Sequence, residues 1–239
     1  MSTQDWSVWR DEAVVRSFLE QTGSGLPQEE VQAEMVLRLL RRGREELNPF
    51  LDVGCGSGRL MELALRAYPE ARGWGVDGSE AMLSRGAERL MPWANQVELR
   101  LHDLSEDNWR TGLPTAFDAV LSGYAIHHLE DTRKRQLYEQ LFALLRPGGV
   151  FVHCEHVASA SPLGESLFED VFVDHLARQP ANTGHDAETL HRNYRERPDR
   201  LANRLAPLET QLQWLREIGF RDVDCFWKYS ELAIFAGWR

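Results

Sequence analysis

The chain has 239 residues, 43% of them hydrophobic, which is enough for one sizeable core and suits a single α/β domain. Its 27 Lys and Arg stand against 37 Asp and Glu, a formal charge of −10 that repels nucleic acid as a whole and favours a small-molecule partner. No apolar run approaches the roughly 18 residues of a membrane span. Three scattered cysteines (Cys55, Cys154, Cys225) offer neither a disulfide framework nor a paired zinc spacing.

The N-terminus, Met1 to Trp6, has neither a basic start nor an apolar stretch, so no signal peptide is expected and the chain reads as a reduced, cytoplasmic protein. Residues 9–19 have a helical pattern. After a break at Gly23-Ser24-Gly25-Leu26-Pro27, residues 31–42 place Val31, Met35, Leu39 and Leu40 at helical spacing. These two segments predict a helical cap over residues 1–45.

Short apolar runs then alternate with helical patterns. Strands are expected at 50–53, 73–76, 97–101, 117–122 and 150–154, with helices at 59–68, 79–90 and 133–145. This alternation predicts βαβ crossovers and a parallel sheet covered on both faces. Pro147-Gly148-Gly149 predicts a turn into the fifth strand. Residues 157–207 are polar, helix-leaning and too long for an ordinary connection, so they are expected to form an insertion over the active face. A helix at 208–218 and two runs at 223–227 and 232–235 predict a closing antiparallel hairpin. The core is thus expected at 46–156 and 208–239.

The segment Asp52-Val53-Gly54-Cys55-Gly56-Ser57-Gly58 joins a strand to a helix. Glycines there tighten the turn and let backbone approach a ligand, and the helix start offers unpaired N–H groups. The spacing is GxGxG. The dinucleotide fingerprint GxGxxG requires glycine where Arg59 stands, and the lysine of a phosphate loop is absent. Asp52 is placed to accept a hydrogen bond from a ligand ammonium. Asp77 ends the next strand, where an acid accepts from ribose hydroxyls.

Together these motifs resemble the class I S-adenosylmethionine-dependent methyltransferases. The resemblance extends to Gly75 to Leu83, to Phe117-Asp118-Ala119-Val120-Leu121-Ser122 leading into Ala125-Ile126-His127-His128-Leu129, and to Leu145-Arg146-Pro147-Gly148-Gly149-Val150. It implies a Rossmann-like, doubly wound, seven-stranded, mostly parallel sheet with a reversed last strand. It also implies an S-adenosyl-L-methionine cofactor that leaves as S-adenosyl-L-homocysteine. By it Gly54, Cys55, Gly56 and Gly58 cradle the cofactor, and Asp77 with Gly78 holds the ribose. Met82, His102, Asp103 and Leu104 flank the adenine, while Ser122, Gly123 and Tyr124 lie under the methionine portion. The tail, Pro207-Leu208-Glu209-Thr210 and then Trp214 to Phe220, is similar to the enzymes that make carboxy-S-adenosylmethionine and modify wobble uridine in tRNA, although other small-molecule methyltransferases share such endings.

Methyl transfer demands alignment, exclusion of water and, for some acceptors, removal of a proton, so a loud catalytic signature is not expected. The strand ends are the places to look. His127 and His128 follow the fourth strand and are either a base or a turn cap. Glu155, with His153 on the same face of the fifth strand and His156 on the other, is either a substrate contact or a structural acid. His127 and Glu155 are the catalytic candidates. No HExxH spacing supports a metal held by His153, Glu155 and His156.

Residues 191–200 carry four arginines interleaved with Glu196 and Asp199. They suit either an anionic substrate and tRNA backbone or pairing along a solvated helix. Phe168, Phe172, Tyr194 and Trp214 line a pocket or pack the insertion. Trp6, Trp9 and Arg10 fold over the cofactor or simply anchor the cap. The reading is a methyltransferase acting on a small molecule. Its alternatives are a tRNA wobble-uridine enzyme of methyl or carboxymethyl chemistry and a non-catalytic scaffold that binds S-adenosylmethionine. The sequence leaves monomer and homodimer open.

Overall fold

The computed structural model describes residues 6–22, 26–42, 45–179 and 182–239. The N-terminal Met1–Asp5 stretch and the Gly23 to Gly25 part of the expected break lie outside these residues.

Seven strands form one sheet: β1 (Phe50–Val53), β2 (Gly73–Asp77), β3 (Val97–Leu101), β4 (Phe117–Gly123), β5 (Leu145–His156), β6 (Arg221–Tyr229) and β7 (Leu232–Trp238). Their order is β3-β2-β1-β4-β5-β7-β6. Neighbours from β3 to β5 pair in parallel, whereas β7 runs antiparallel to both β5 and β6. This is the expected doubly wound sheet with its reversed last strand. The strand order turns around between β1 and β4, and such a switch point leaves a crevice beyond the strands' carboxyl ends.

The helices are α1 (Glu12–Thr22), α2 (Glu29–Arg41), α3 (Arg59–Ala67), α4 (Glu80–Arg89), α5 (Asp131–Leu144), α6 (Pro162–Ala177), α7 (Ala187–Arg195), α8 (Pro198–Leu201) and α9 (Leu208–Ile218). A 3-10 helix at Trp6–Arg10 precedes α1 and another spans Ile126–His128. The first is the start of what the sequence suggested as one helix from residue 9. Asp11 explains the break: its carboxylate accepts from the Ala13 N–H and starts α1 afresh.

Both faces of the sheet are sealed, as the unbroken burial of β1 and most of β4 requires. One core sets Leu137 and Leu141 of α5 and Leu212 and Leu215 of α9 against Leu51, Val120 and Phe151. The other sets Val36, Leu39 and Leu40 of α2 and Met61, Ala64 and Leu65 of α3 against Phe50, Leu121 and Val152. Alternation along β5 therefore aims Phe151, His153 and Glu155 toward α5 and α9, and Cys154 toward α2 and α3.

The expected turn at Pro147-Gly148-Gly149 belongs to the span of β5. Leu145 pairs with Phe117 and Val150 with Ala119, so the residues between bulge outward. The C-terminal Arg239 ties them down, accepting from the Gly148 N–H and donating to the Gly149 carbonyl. Helices α6, α7 and α8 occupy the insertion after β5. Its two ends meet where the Ala158 N–H donates to the Ala206 carbonyl at 3.1 Å.

Gly54 shows how tightly the chain crosses at the switch point. It lies at φ +69°, and a Cβ there would stand 2.2 Å from the Ala125 Cβ in the loop after β4. A Gly54→Ala variant is expected to lose about 1–3 kcal/mol, from overpacking and from left-handed strain, read as a lower urea midpoint with an unchanged m-value.

Candidate active site

The crevice opens into a cavity of about 550 Å³, within the roughly 300–1,000 Å³ range of small-molecule sites. The strand ends form its floor. The cap, the insertion and the Trp6–Arg10 strap form its walls and roof.

The glycine loop is one end. Gly54, Gly56 and Gly58 all have positive φ, and Gly58 supplies the left-handed residue before α3. A Cβ built on Gly56 would meet nothing nearer than the Met82 sulfur at 4.0 Å, so the loop leaves room above its own backbone. Asp77 reaches across from β2. One carboxylate oxygen accepts from the Gly56 N–H and the other from the Ser79 N–H, both at 2.8 Å. Those bonds fix its orientation while leaving lone pairs for a ligand.

Asp52 is 1% exposed and lines the cavity. Its Oδ1 is buried without a hydrogen-bond partner. Burial first, and then the neighbouring charge of Asp77, pushes its carboxyl up to about 8. A buried orphan acceptor on a residue that lines a cavity calls for a donor, and a cationic ammonium suits it best. Asp77 answers to hydroxyls, and the start of α3 to a carboxylate. These residues fit the amino-acid and ribose ends of S-adenosylmethionine.

Cys55, Gly78, Met82, Asp103, Leu104, Gly123 and Tyr124 also line the cavity. Asp103 accepts from the Ser105 N–H and hydroxyl through Oδ1 and stands 3.5 Å from Arg10 through Oδ2. Tyr124 adopts φ +54°, and its hydroxyl donates to Gln32 of α2 at 2.6 Å. Such a strained residue at a strand end fits a functional position. Three of the expected cofactor residues, Gly58, His102 and Ser122, fall outside the cavity lining. Ser122 is fully buried and spends its hydroxyl on the Val53 carbonyl at 2.7 Å, stitching β4 to β1.

The strap closes the near side. Trp6 packs on Gly78, where a Cβ would come within 2.7 Å of its ring. Arg10 lies over Trp6 at 4.5 Å, and the Ser79 hydroxyl donates to the Trp9 carbonyl. The Trp9 indole N–H donates to His128 Nε2 at 2.9 Å, which sets the proton of His128 on Nδ1, facing the Ala202 carbonyl. Burial, followed by His127, holds the His128 imidazole well below its ordinary range. The lone pair of His128 is therefore taken.

His127 differs. Its Nδ1 stands 2.6 Å from Glu155 Oε1, so Nδ1 carries the proton and Nε2 keeps its lone pair. His127 lines the cavity, whereas Glu155, fully buried, lies behind it. Burial alone would raise the Glu155 carboxyl, yet His127 and His153 bring it well below the carboxylate range. His127 is held below its ordinary range, burial first, with Glu155 pulling upward and His156 and Lys134 adding to the lowering. The pair is thus an ionised acid holding a neutral imidazole, an arrangement that can take a proton from an acceptor.

The far wall comes from the insertion. Tyr194 donates to Glu231 at 2.9 Å, and Glu231 lies 2.8 Å from His156 Nε2. Sequence reasoning passed over Glu231 because it lies in the turn of the closing hairpin. The arginines of residues 191–200 are engaged: Arg195 and Arg200 with Glu169, Arg197 with Asp199, and Arg192 with the Thr189 hydroxyl. Phe172 stacks on Tyr194 and lines the cavity, whereas Trp214 packs against the core beneath the sheet. Phe168 lies under Lys228, whose ammonium is 4.5 Å from the ring centre. Among the described residues, no group of three or more His, Cys, Asp or Glu could hold a metal ion, and no helix is long and apolar enough to cross a membrane.

Residues 51–151 match the family described as "Methyltransferase domain". Over 228 residues the chain is 21% identical to the carboxy-S-adenosyl-L-methionine synthase of a Nitratiruptor species, covering 94% of this chain and 90% of that protein. Over 100 residues it is 37% identical to the trans-aconitate 2-methyltransferase of Variovorax paradoxus, 42% of this chain and 35% of that one. An O-methyltransferase family protein from Burkholderia thailandensis superposes with a TM-score of 0.72 at 16% identity. That likeness covers all of this chain and 64% of the longer solved structure.

If Asp52 receives the ligand's ammonium, binding must ionise a carboxyl that is mostly protonated at neutral pH. S-adenosylmethionine binding at pH 7 is expected to release close to one proton more from the wild type than from Asp52→Asn. Calorimetry in buffers of different ionisation enthalpy reads the difference, and equal proton release from both proteins would exclude this role.

Proposed function

We propose that the chain is a class I S-adenosylmethionine-dependent methyltransferase that methylates a small molecule seated between the glycine loop and Tyr194, with His127 as the base. The observation that carries this reading is the His127–Glu155 pair, in which Glu155 takes Nδ1 and leaves Nε2 its lone pair, on a histidine that lines the same cavity as Asp52. The bound cofactor supplies a methyl group activated by its sulfonium. The chain's own residues do the rest.

Asp52 binds the ammonium, Asp77 the ribose, and Met82, Asp103 and Leu104 surround the adenine. Gly54, Gly56, Gly123 and Tyr124 bound the methionine portion. The strap and the insertion keep water from the reacting atoms, and His127 takes the proton of the acceptor's O–H or N–H as its nucleophilic atom attacks. In this scheme residues 1–45 are the cap, 46–156 and 208–239 the core, and 157–207 the acceptor lid. A cytoplasmic location is part of the proposal, supported by three free cysteines.

A tRNA substrate is less well supported. The chain is acidic, and the arginines that would meet a phosphate backbone are spent on Glu169 and Asp199. Incubation with methyl-labelled S-adenosylmethionine and a fractionated cell extract separates the readings. Label is expected in a low-molecular-weight acceptor. Label in RNA would overturn the small-molecule reading, and a carboxylated cofactor that keeps its methyl label would overturn methyl transfer.

With that acceptor in hand, His127→Ala is expected to lower kcat by roughly 10²–10⁴-fold while cofactor affinity changes only a few-fold. Because burial holds His127 below its ordinary 6.5, it is neutral at physiological pH. Activity should be full there and fall only as pH drops through a value below 6.5. An acid limb above 6.5 would contradict the assignment.

A further inference from the structure

Glu155 is a charged group sealed at 0% exposure, and no described lysine or arginine touches it. Its Oε1 is fully used, accepting from His127 Nδ1 at 2.6 Å and from the His156 N–H at 2.7 Å. Its Oε2 faces His153 Nε2 at 3.0 Å. The two atoms meet as a close polar contact outside aligned hydrogen-bond geometry, and neither has an aligned partner elsewhere. His153 is itself fully buried, held in a slot of aromatic rings: stacked on Phe151 at 5.3 Å, edge-on to Phe235 at 4.8 Å and edge-on to Tyr138 at 5.8 Å.

The other face of this imidazole is equally constrained. Nδ1 lies 3.4 Å from the Tyr138 hydroxyl. That phenol donates its proton to Gln211 of α9 at 2.6 Å, and Gln211 in turn donates to the Ala206 carbonyl. Tyr138 therefore offers His153 lone pairs only, so both ring nitrogens of His153 face acceptors. A row of buried polar groups runs from α9 through α5 and β5 to the cavity: Gln211, Tyr138, His153, Glu155, His127.

We infer that His153 is a positioning residue for the base: it engages the second oxygen of Glu155, so that the first is left to orient His127. The proposal rests on the reading of His127 as base. Other titratable groups surround the row without sharing this task. Lys134, beside His127, is committed to Asp131 and the Arg204 carbonyl. His128 is held by Trp9, and His156 turns its ring toward Glu231. Tyr124, Tyr138 and Cys154 sense Glu155 electrostatically and remain neutral, their own ionisation pushed up by burial. With His153 removed, less charge compensation remains for Glu155, so the Glu155–His127 pair holds a proton more firmly. The change should appear at His127, although His153 does not line the cavity.

The test is nitrogen-15 imidazole NMR of the full chain with bound S-adenosylmethionine, which needs no acceptor. In the wild type, His127 is expected as the Nδ1–H tautomer. In His153→Phe, which suits the aromatic slot, the His127 titration midpoint should rise by about one pH unit, the size of losing one charge-assisted contact. In His153→Gln, which returns an N–H near the place of Nε2, the midpoint should come back toward the wild type. Cofactor affinity should be unchanged in both.

An unmoved midpoint in a folded His153→Phe protein overturns the proposal, as does failure of His153→Gln to restore a moved one. Should H153F fail to fold, His153→Leu, which also removes the Nε2 donor, is read in the same way: an upward movement of the His127 midpoint supports the proposal and none overturns it. Should His127→Ala keep its kcat, the base assignment fails on its own evidence, separately from the NMR result.

Discussion

An ionised carboxylate in the interior of a sheet imposes a severe demand, because removing a charge from water costs several kcal/mol unless partners replace the lost solvation. Glu155 makes that demand at the end of β5, and the acceptor half of the cavity is arranged around meeting it. One imidazole from the turn after β4, one from its own strand and one backbone N–H supply the compensation. Asp52, at the end of β1 and across the same cavity, solves the same problem differently: burial and the charge of Asp77 keep it protonated. Two buried acids driven in opposite directions by their surroundings suit the two tasks of the proposed reaction, one receiving a cation and the other orienting a base.

The strand–helix alternation carried the fold, since short apolar runs form the strands, buried throughout β1 and most of β4 and half-buried in the edge strand β3, and the intervening patterns form the covering helices. The antiparallel hairpin at β6 and β7 was equally legible. The Pro147-Gly148-Gly149 turn was misplaced relative to the strand because sheet pairing resumes on both sides of it, which local turn chemistry cannot report. Asp52 and Asp77 line the cavity where the sequence expected a ligand, because they lie at fixed offsets from glycines. Ser122 could not be read correctly on position alone: whether a strand-end hydroxyl faces the ligand or the neighbouring strand depends on a rotamer and a partner 69 residues away. Glu231 had no local signal at all, because its partners His156 and Tyr194 reach it only once the hairpin and the insertion are in place.

The insertion illustrates the limits of charge counting. Four arginines in ten residues suggested an anion-binding stretch, but Glu169, a single acid from α6, draws in Arg195, Arg200 and His191. Their cost in desolvation is met within the insertion, leaving α7 and α8 as a braced wall. The Arg200 guanidinium lies 4.5 Å over the Tyr194 ring, so the brace also fixes the aromatic surface that bounds the acceptor space.

The strap over the cavity is fastened by few and modest bonds: an indole N–H on His128, a serine hydroxyl on the Trp9 carbonyl, and a solvent-screened pairing of Arg10 with Asp103. Each neutral hydrogen bond contributes about 1 kcal/mol net and the exposed pair less, and the packing of Trp6 on Gly78 and of Trp9 on Phe18 adds to them. Because these attachments run to Ser79 after β2 and His128 after β4, the near wall of the cavity is joined to the fold separately from the strands that make its floor.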